Sequence, residues 1–136
     1  MPPSDSNLFG EAAARSVIDL HVVLQAWFNA EGSDDPAAVL AHFDADFRII
    51  SPLGKVTPIA AFAAALPGLR GSRPGLVMRI SELELRFGDA AAALVSYRET
   101  QTQGTAVTER LSTALLIASD SRPHPVWRHL QETWLG

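Results

Sequence analysis

Arg98, Glu132 and Arg79 are the side chains whose types and predicted grouping could do chemistry. Two guanidinium groups around one carboxylate leave net positive charge. That suits an anionic ligand such as a carboxylate, gripped in the two-point manner that arginine favours. The plainer alternative is an Arg98–Glu132 ion pair that satisfies itself while Arg79 reaches for the sheet edge. Trp134, Trp27 and Phe28 offer apolar surface for a pocket, and Ser96 and Thr113 offer hydroxyl contacts. Such aromatics serve equally well as core. His21 lies in a helical pattern, where an imidazole facing a cavity would be a general base and one facing elsewhere would be a packed or solvated residue. His129 is assigned to the outer sheet face, and His42 and His124 to the surface. No two histidines have metal-ligand spacing, so neither a metal nor another cofactor is expected.

Several function classes are excluded or disfavoured by composition. The chain has 136 residues, a net charge of −4 and no cysteine. Thiolate nucleophiles, thiolate metal sites and disulfides are therefore ruled out. Lys55 is the only lysine, and the ten arginines are scattered rather than clustered, so no phosphate-binding footprint for nucleic acid is present. Ser-His-Asp nucleophile elbows and phosphate-cradling glycine loops are absent. No apolar run approaches the roughly 20 residues of a spanning helix, and the polar stretch Met1 to Asn7 does not read as a signal peptide. A cytoplasmic location is the expectation, and the arginine- and alanine-rich usage suggests a bacterial source.

The elements that must position these residues can be read from periodicity. Residues 1–6 are expected to be a disordered tail and 7–136 one domain. Leu8, Ala12, Val17, Leu20, Leu24 and Phe28 recur at helical spacing, predicting a helix over 7–30 with Ser6 or Asn7 as its cap. Asp35 and Pro36 open a short second helix to His42. Phe47 to Ser51 reads as a strand, Lys55-Val56 as a brief one, and 58–66 as a third helix stopped by Pro67-Gly68. Four strands follow, over 76–87, 90–102, 107–119 and 125–135, separated by turn residues. Helices first and a long meander second give an α+β class, with helices on one face of the sheet.

Hairpin geometry then assigns faces, because side chains alternate and a one-residue slip inverts every assignment. A two-residue turn at Gly88-Asp89 places Ser81 opposite Ser96. A similar turn at Gly104-Thr105 places Glu99 opposite Arg110, and a longer last turn places Leu115 opposite Leu130. One face then carries Val77, Arg79, Ser81, Leu83, Leu94, Ser96, Arg98, Leu111, Thr113, Leu115, Leu130, Glu132 and Trp134. Its aliphatic centre marks it as the helix-covered side. The other carries Tyr97, Glu99, Arg110, Trp127, His129 and Gln131, a half-apolar surface expected to form a homodimer.

Three stretches carry a resemblance: Phe47-Arg-Ile-Ile-Ser-Pro-Leu-Gly54, Ser96-Tyr-Arg-Glu-Thr-Gln101 and Trp127-Arg-His-Leu-Gln-Glu-Thr-Trp-Leu135. From about Ser16 to its C-terminus the chain resembles the nuclear transport factor 2-like superfamily. It is similar above all to a SnoaL-like bacterial branch of unassigned function related to the association domain of calmodulin-dependent kinase II. The last stretch resembles a closing-strand pattern Trp-x-His-x-His-Glu-Thr-Trp-Leu, from which Gln131 departs by replacing the second histidine. The resemblance implies a cone-shaped, curved antiparallel (mixed) sheet of cystatin-like type wrapped around N-terminal helices, with Arg98 pointing into a cavity.

The expected function is a small-molecule-binding or assembly domain with a partly apolar, arginine-containing cavity for a small anionic or apolar ligand. The alternatives are an isomerase-, cyclase- or hydrolase-like enzyme on a small apolar substrate, and a purely structural dimerisation module. A ketosteroid isomerase-like site is disfavoured because Tyr97, the sole tyrosine, is assigned outward.

Overall fold

The computed structural model describes residues 5–136, with side chains from Leu8 onward. Most of the expected tail lies outside the described residues. Its last two positions, Asp5 and Ser6, are already helical, so neither Ser6 nor Asn7 is a cap. Helix α1 spans Asp5–Phe28 and buries Ala13, Val17, Leu20 and Trp27. Helix α2 (Ala37–Leu40) is a single turn anchored by buried Val39. Strand β1 (Phe43–Ile50) begins four residues earlier than its β-rich core suggests, and β2 (Val56–Pro58) pairs back onto it.

Helix α3 (Ile59–Leu69) runs through Pro67 rather than stopping at it. Proline cannot donate to the carbonyl four residues back. Packing offsets that loss, because Leu66 and Leu69 belong to a cluster with Trp27 and Val39, and Trp27 Nε1 donates to the Leu66 carbonyl at 2.9 Å.

Strands β3 (Val77–Gly88), β4 (Ala92–Gln103), β5 (Ala106–Ile117) and β6 (Val126–Trp134) form the expected meander. The six-stranded sheet has the order β2-β1-β6-β5-β4-β3, antiparallel except where β1 runs parallel to β6. This is an α+β fold built on a mixed, open sheet. The β4–β5 register is the expected one, with Glu99 opposite Arg110 and Ser96 opposite Thr113.

The face assignment is corrected. The helix-covered face of β4 and β5 carries Ala93, Val95, Tyr97, Glu99, Gln101, Ser112, Ala114 and Leu116, all buried. Leu94, Ser96, Arg98, Leu111 and Thr113 lie on the opposite face, where Leu111 is 45% exposed. The larger leucines thus mark the outer side. The inner side uses small residues, such as Ala93 and Ala114, because α1 with Ala13 and Val17 must approach the sheet closely.

Irregularities in β3 and β6 rearrange the remaining strands, and β3 is itself offset from the expected register, with Ser81 opposite Arg98 rather than Ser96. In β3 a bulge at Glu82, whose φ of 51° is left-handed, lies between the Ser81–Arg98 and Glu84–Ser96 pairs. It leaves Val77, Arg79 and Ser81 on the outer side and turns Leu83 into the core. Strand β6 sits one residue from the expected register, with Ser112 opposite Glu132 and Ala114 opposite Leu130. A bulge before Leu116 pairs that residue with Trp127 and sends the intervening Arg128 to Asp44 at 3.2 Å.

Candidate functional site

The inner face of the sheet, α1, β1 and α3 line a partly open cavity of about 150 Å³. Its apolar wall comes from Leu20, Leu24, Phe43, Phe47, Ile49, Phe62, Met78 and Leu130. One polar wall faces it: His21 from α1, Glu99 and Gln101 from β4, Arg110 from β5 and Glu132 from β6. Strand alternation explains the grouping. Glu99 and Gln101 are two apart on β4, Arg110 is the cross-strand partner of Glu99, and Glu132 lies opposite Ser112, two residues on from Arg110.

His21 is buried and both its nitrogens are engaged. Nδ1 lies 2.7 Å from the Val17 carbonyl one helical turn back, and a carbonyl can only accept, so Nδ1 carries a hydrogen. Nε2 lies 3.0 Å from Glu99 Oε1. A second proton must therefore sit between imidazole and carboxyl, and the pair shares it. The other Glu99 oxygen accepts from Gln101 Nε2. Burial pushes Glu99 up, but the hydrogen bond and charge of His21, with help from Gln101 and Arg110, overcome it and hold the group below its ordinary value.

Glu132 behaves in the opposite way. Burial pushes its carboxyl above the ordinary value. The nearby Arg110 pulls it down and the Glu99 charge pushes it further up, and the net direction is upward. Arg110 Nη1 lies 3.3 Å from Glu132 Oε2, its guanidinium stacks on Trp134 at 4.6 Å, and its buried Nε has no hydrogen-bond partner among the described residues. Two carboxyls on one cavity are thus driven apart in ionisation, one held charged and one pushed toward neutral. That is the pattern of groups with different proton-handling roles.

Behind this wall, Tyr97 and Trp127 pack edge to face, with His21 5.4 Å from the Tyr97 ring. Burial drives the Tyr97 hydroxyl well above the ordinary phenol range, and Glu99 and Glu132 reinforce it. The outward assignment of Tyr97 is overturned, and with it the objection to a ketosteroid isomerase-like arrangement. Tyr97 is nonetheless not among the residues lining the cavity.

Of the side chains expected at a cavity, the structure brings His21 and Glu132 to its wall. Arg98 lies on the outer face, bound to Glu109 at 2.6 Å, with Glu82 at 3.9 Å. Arg79, Ser96 and Thr113 share that face, carried there with Arg98 by strand parity. Trp27 is core, and Trp134 lies beneath Arg110 at 42% exposure without lining the cavity. Glu99, Gln101 and Arg110 were missed as site residues. Their signal is present in the sequence, since three charged or amide side chains alternate in register on adjoining strands, but it fits equally well the half-apolar homodimer surface to which the sequence reading assigns that face. Four of the six residues expected at a dimer surface, Tyr97, Glu99, Arg110 and Trp127, are turned inward; only His129 and Gln131 are on the outer face.

Among the described residues, no group of three or more His, Asp or Glu side chains could hold a metal ion, and no helix is long and apolar enough to cross a membrane. The SnoaL-like domain model matches residues 24–118. A nuclear transport factor 2-like protein of unknown function from Pseudomonas aeruginosa is 33% identical, over 92% of this chain and 99% of that one, with a TM-score of 0.85. A candidate scytalone dehydratase from Novosphingobium aromaticivorans is 13% identical, over 93% and 83% of the two chains, with a TM-score of 0.71. A calmodulin-dependent kinase II hub homology domain from Chlamydomonas reinhardtii is 14% identical, over 92% and 98%, with a TM-score of 0.68. No protein of curated function matches the sequence.

Proposed function

Because the chain belongs to the SnoaL-like family of the nuclear transport factor 2-like superfamily, we propose that its cavity binds a small, largely apolar carbonyl compound and moves a proton on it. The observation that carries this reading is the divided carboxyl pair, Glu99 held below and Glu132 raised above the ordinary value, on the one polar wall of a cavity whose remaining lining is apolar.

The roles follow from which atoms are free. His21 has no unengaged nitrogen, and Glu99 accepts a hydrogen bond at each oxygen, so these two form a fixed, charge-balanced support. Glu132 is bonded through one oxygen only, and burial raises its affinity for protons above that of an ordinary carboxyl, which suits a group that takes up and returns a proton. In the proposed step, Glu132 takes a proton from the carbon beside the carbonyl. The electron pair passes into the carbonyl, and negative charge develops on its oxygen at the cavity wall that carries the Arg110 guanidinium. The neutral Glu132 then returns the proton to the ligand at the same or a conjugated carbon, so nothing is gained or lost overall. A cavity of this size admits a single ring, since an engineered void of about 150 Å³ binds benzene.

The test is an NMR titration with cyclohexenone, following the methyl groups of Leu20, Leu24, Leu130 and Met78, together with solvent-deuterium exchange into the ligand. Saturable shifts at those methyls are expected. Exchange should fall about 10²-fold or more in Glu132→Gln and be unchanged in Arg98→Leu, since Arg98 is on the other face. Shifts confined to Leu94 and Leu111, or equal exchange in Glu132→Gln and the unsubstituted protein, would overturn the reading.

Self-association through the outer sheet face is the second inference. The half-buried Leu94, Leu115 and Ile117 form an aliphatic patch there, with His129 and Gln131 on the adjoining strand and the exposed Leu111 further along β5. The likeness to a kinase hub domain supports an assembling role for this fold.

A further inference from the structure

Gln101 lies buried between Glu99 and a residue outside the cavity, Arg73. Arg73 belongs to the segment joining α3 to β3. Its backbone N–H donates to the Phe28 carbonyl at 3.1 Å, and its own carbonyl accepts from Leu76 at 3.1 Å. The segment is fastened to β4 as well, through Gln103 Nε2 donating to the Pro74 carbonyl at 2.9 Å. Arg73 therefore holds a fixed position over the end of β4. From there its Nη1 donates to Gln101 Oε1 at 2.7 Å and its Nε to Gln103 Oε1 at 3.2 Å.

The chemistry of the amide makes this contact directional. A glutamine side chain can present either its oxygen or its NH2 group to a neighbour, and the two differ in sign. A guanidinium can only donate. With the Gln101 oxygen claimed by Arg73, the NH2 group must face Glu99, where it donates to Oε2. Reversed, the amide would set an oxygen against a buried carboxylate, and the cheapest relief would be a proton on Glu99.

We propose that Arg73 is a positioning residue for the cavity: by orienting the Gln101 amide it keeps Glu99 an ionised acceptor, and so sets the charge beside Glu132 from outside the site. The groups facing Glu99 are His21 from α1, Tyr97 and Gln101 from β4, Arg110 from β5 and Glu132 from β6. Of these, Gln101 is the one whose polarity can be inverted without moving the backbone. Its partner therefore decides whether the carboxyl pair remains divided. This inference rests on the acid–base reading of the cavity but needs no ligand for its test.

The experiment is a carboxyl-carbon NMR titration of Glu99 in the full chain, with Arg73→Met, Arg73→Lys, Gln101→Met and the double Arg73→Met/Gln101→Met. Arg73→Met should tighten proton binding at Glu99 by about threefold or more, the scale of one lost hydrogen bond. Arg73→Lys, which keeps a donor, should recover part of the change. In the Gln101→Met background, Arg73→Met should add nothing. If Arg73→Met lowers the unfolding midpoint yet leaves the Glu99 titration in place, the residue is merely structural and the proposal fails. If the effect persists without Gln101, it is a field effect and the proposal fails equally. Failure of ligand binding, by contrast, would leave this result standing and overturn only the carbonyl reading.

Discussion

Glu99 and Glu132 stand on β4 and β6, two strands apart, and line the same cavity, yet their surroundings drive their ionisation in opposite directions. The difference lies in the company each keeps. Glu99 has the shared proton of His21 on one oxygen and an amide donor on the other. Glu132 has only a long contact to Arg110, and the negative charge of Glu99 nearby.

Removing the imidazole should expose how much of the core depends on this arrangement. His21→Ala strands the Glu99 carboxylate in a buried position without its main partner. A loss of about 3–5 kcal/mol is expected, the usual result of breaking one side of a buried pair. A double His21→Leu/Glu99→Leu protein removes both charges and should recover most of that loss. Urea unfolding of the three proteins gives the comparison; equal losses in the single and double variants would show that shape, not charge, dominates.

Stability should depend on pH through both carboxyls, with opposite signs. A carboxyl held below its unfolded value, such as Glu99, contributes stability above the unfolded value and loses it as pH falls through the folded one. Glu132, raised on folding, contributes below its unfolded value and loses that contribution as pH rises through the folded one. Glu132→Gln should therefore abolish the decline on the way to neutral pH and melt higher than the unsubstituted protein there. Thermal unfolding between about pH 3 and 8 would check this. A variant whose curve keeps the original slope would show that Glu132 is not the group responsible.

Tyr97 offers a contrasting test. Its hydroxyl is buried and makes at most a weak hydrogen bond, to Ser112, so it contributes mainly volume. Tyr97→Phe should change stability by less than about 0.5 kcal/mol or increase it, because a poorly satisfied group is removed at nearly constant shape. A loss above about 1 kcal/mol would mean that the hydroxyl is firmly bonded after all, for example to an ordered water.

For the outer face, Leu111→Lys replaces its most exposed β5 leucine with a cation opposite Arg98. Sedimentation should show a smaller species than the unsubstituted protein, with the cavity's proton chemistry retained. An unaltered sedimentation coefficient would remove this face from the proposed assembly.

Much of the architecture was legible in the chain. The 3.6-residue pattern of α1, the turn at Gly104-Thr105 and the β4–β5 register all follow from local chemistry. The first hairpin does not: Gly88 is still paired, with Ala93, the loop is 89–91, and Ser81 lies opposite Arg98 rather than Ser96. Which side faced the helices did not. Both faces of β4 and β5 are largely apolar, and side-chain size was the wrong discriminator: Ala93 and Ala114 admit α1, while Leu94 and Leu111 face outward. The bulge at Glu82 and the one-residue offset of β6 carry no composition signal that would locate them. Glu132 reached the inner face only because the face and the register of β6 were displaced together. Its neighbours there are Glu99 and Arg110, not Arg98.

Carboxyl-carbon NMR of the unliganded protein, titrated from acid to neutral pH, addresses the divided pair directly. The account predicts that Glu132 loses its proton above the ordinary glutamate range and Glu99 below it. Two glutamates titrating together within that range, or the reverse order, would contradict it.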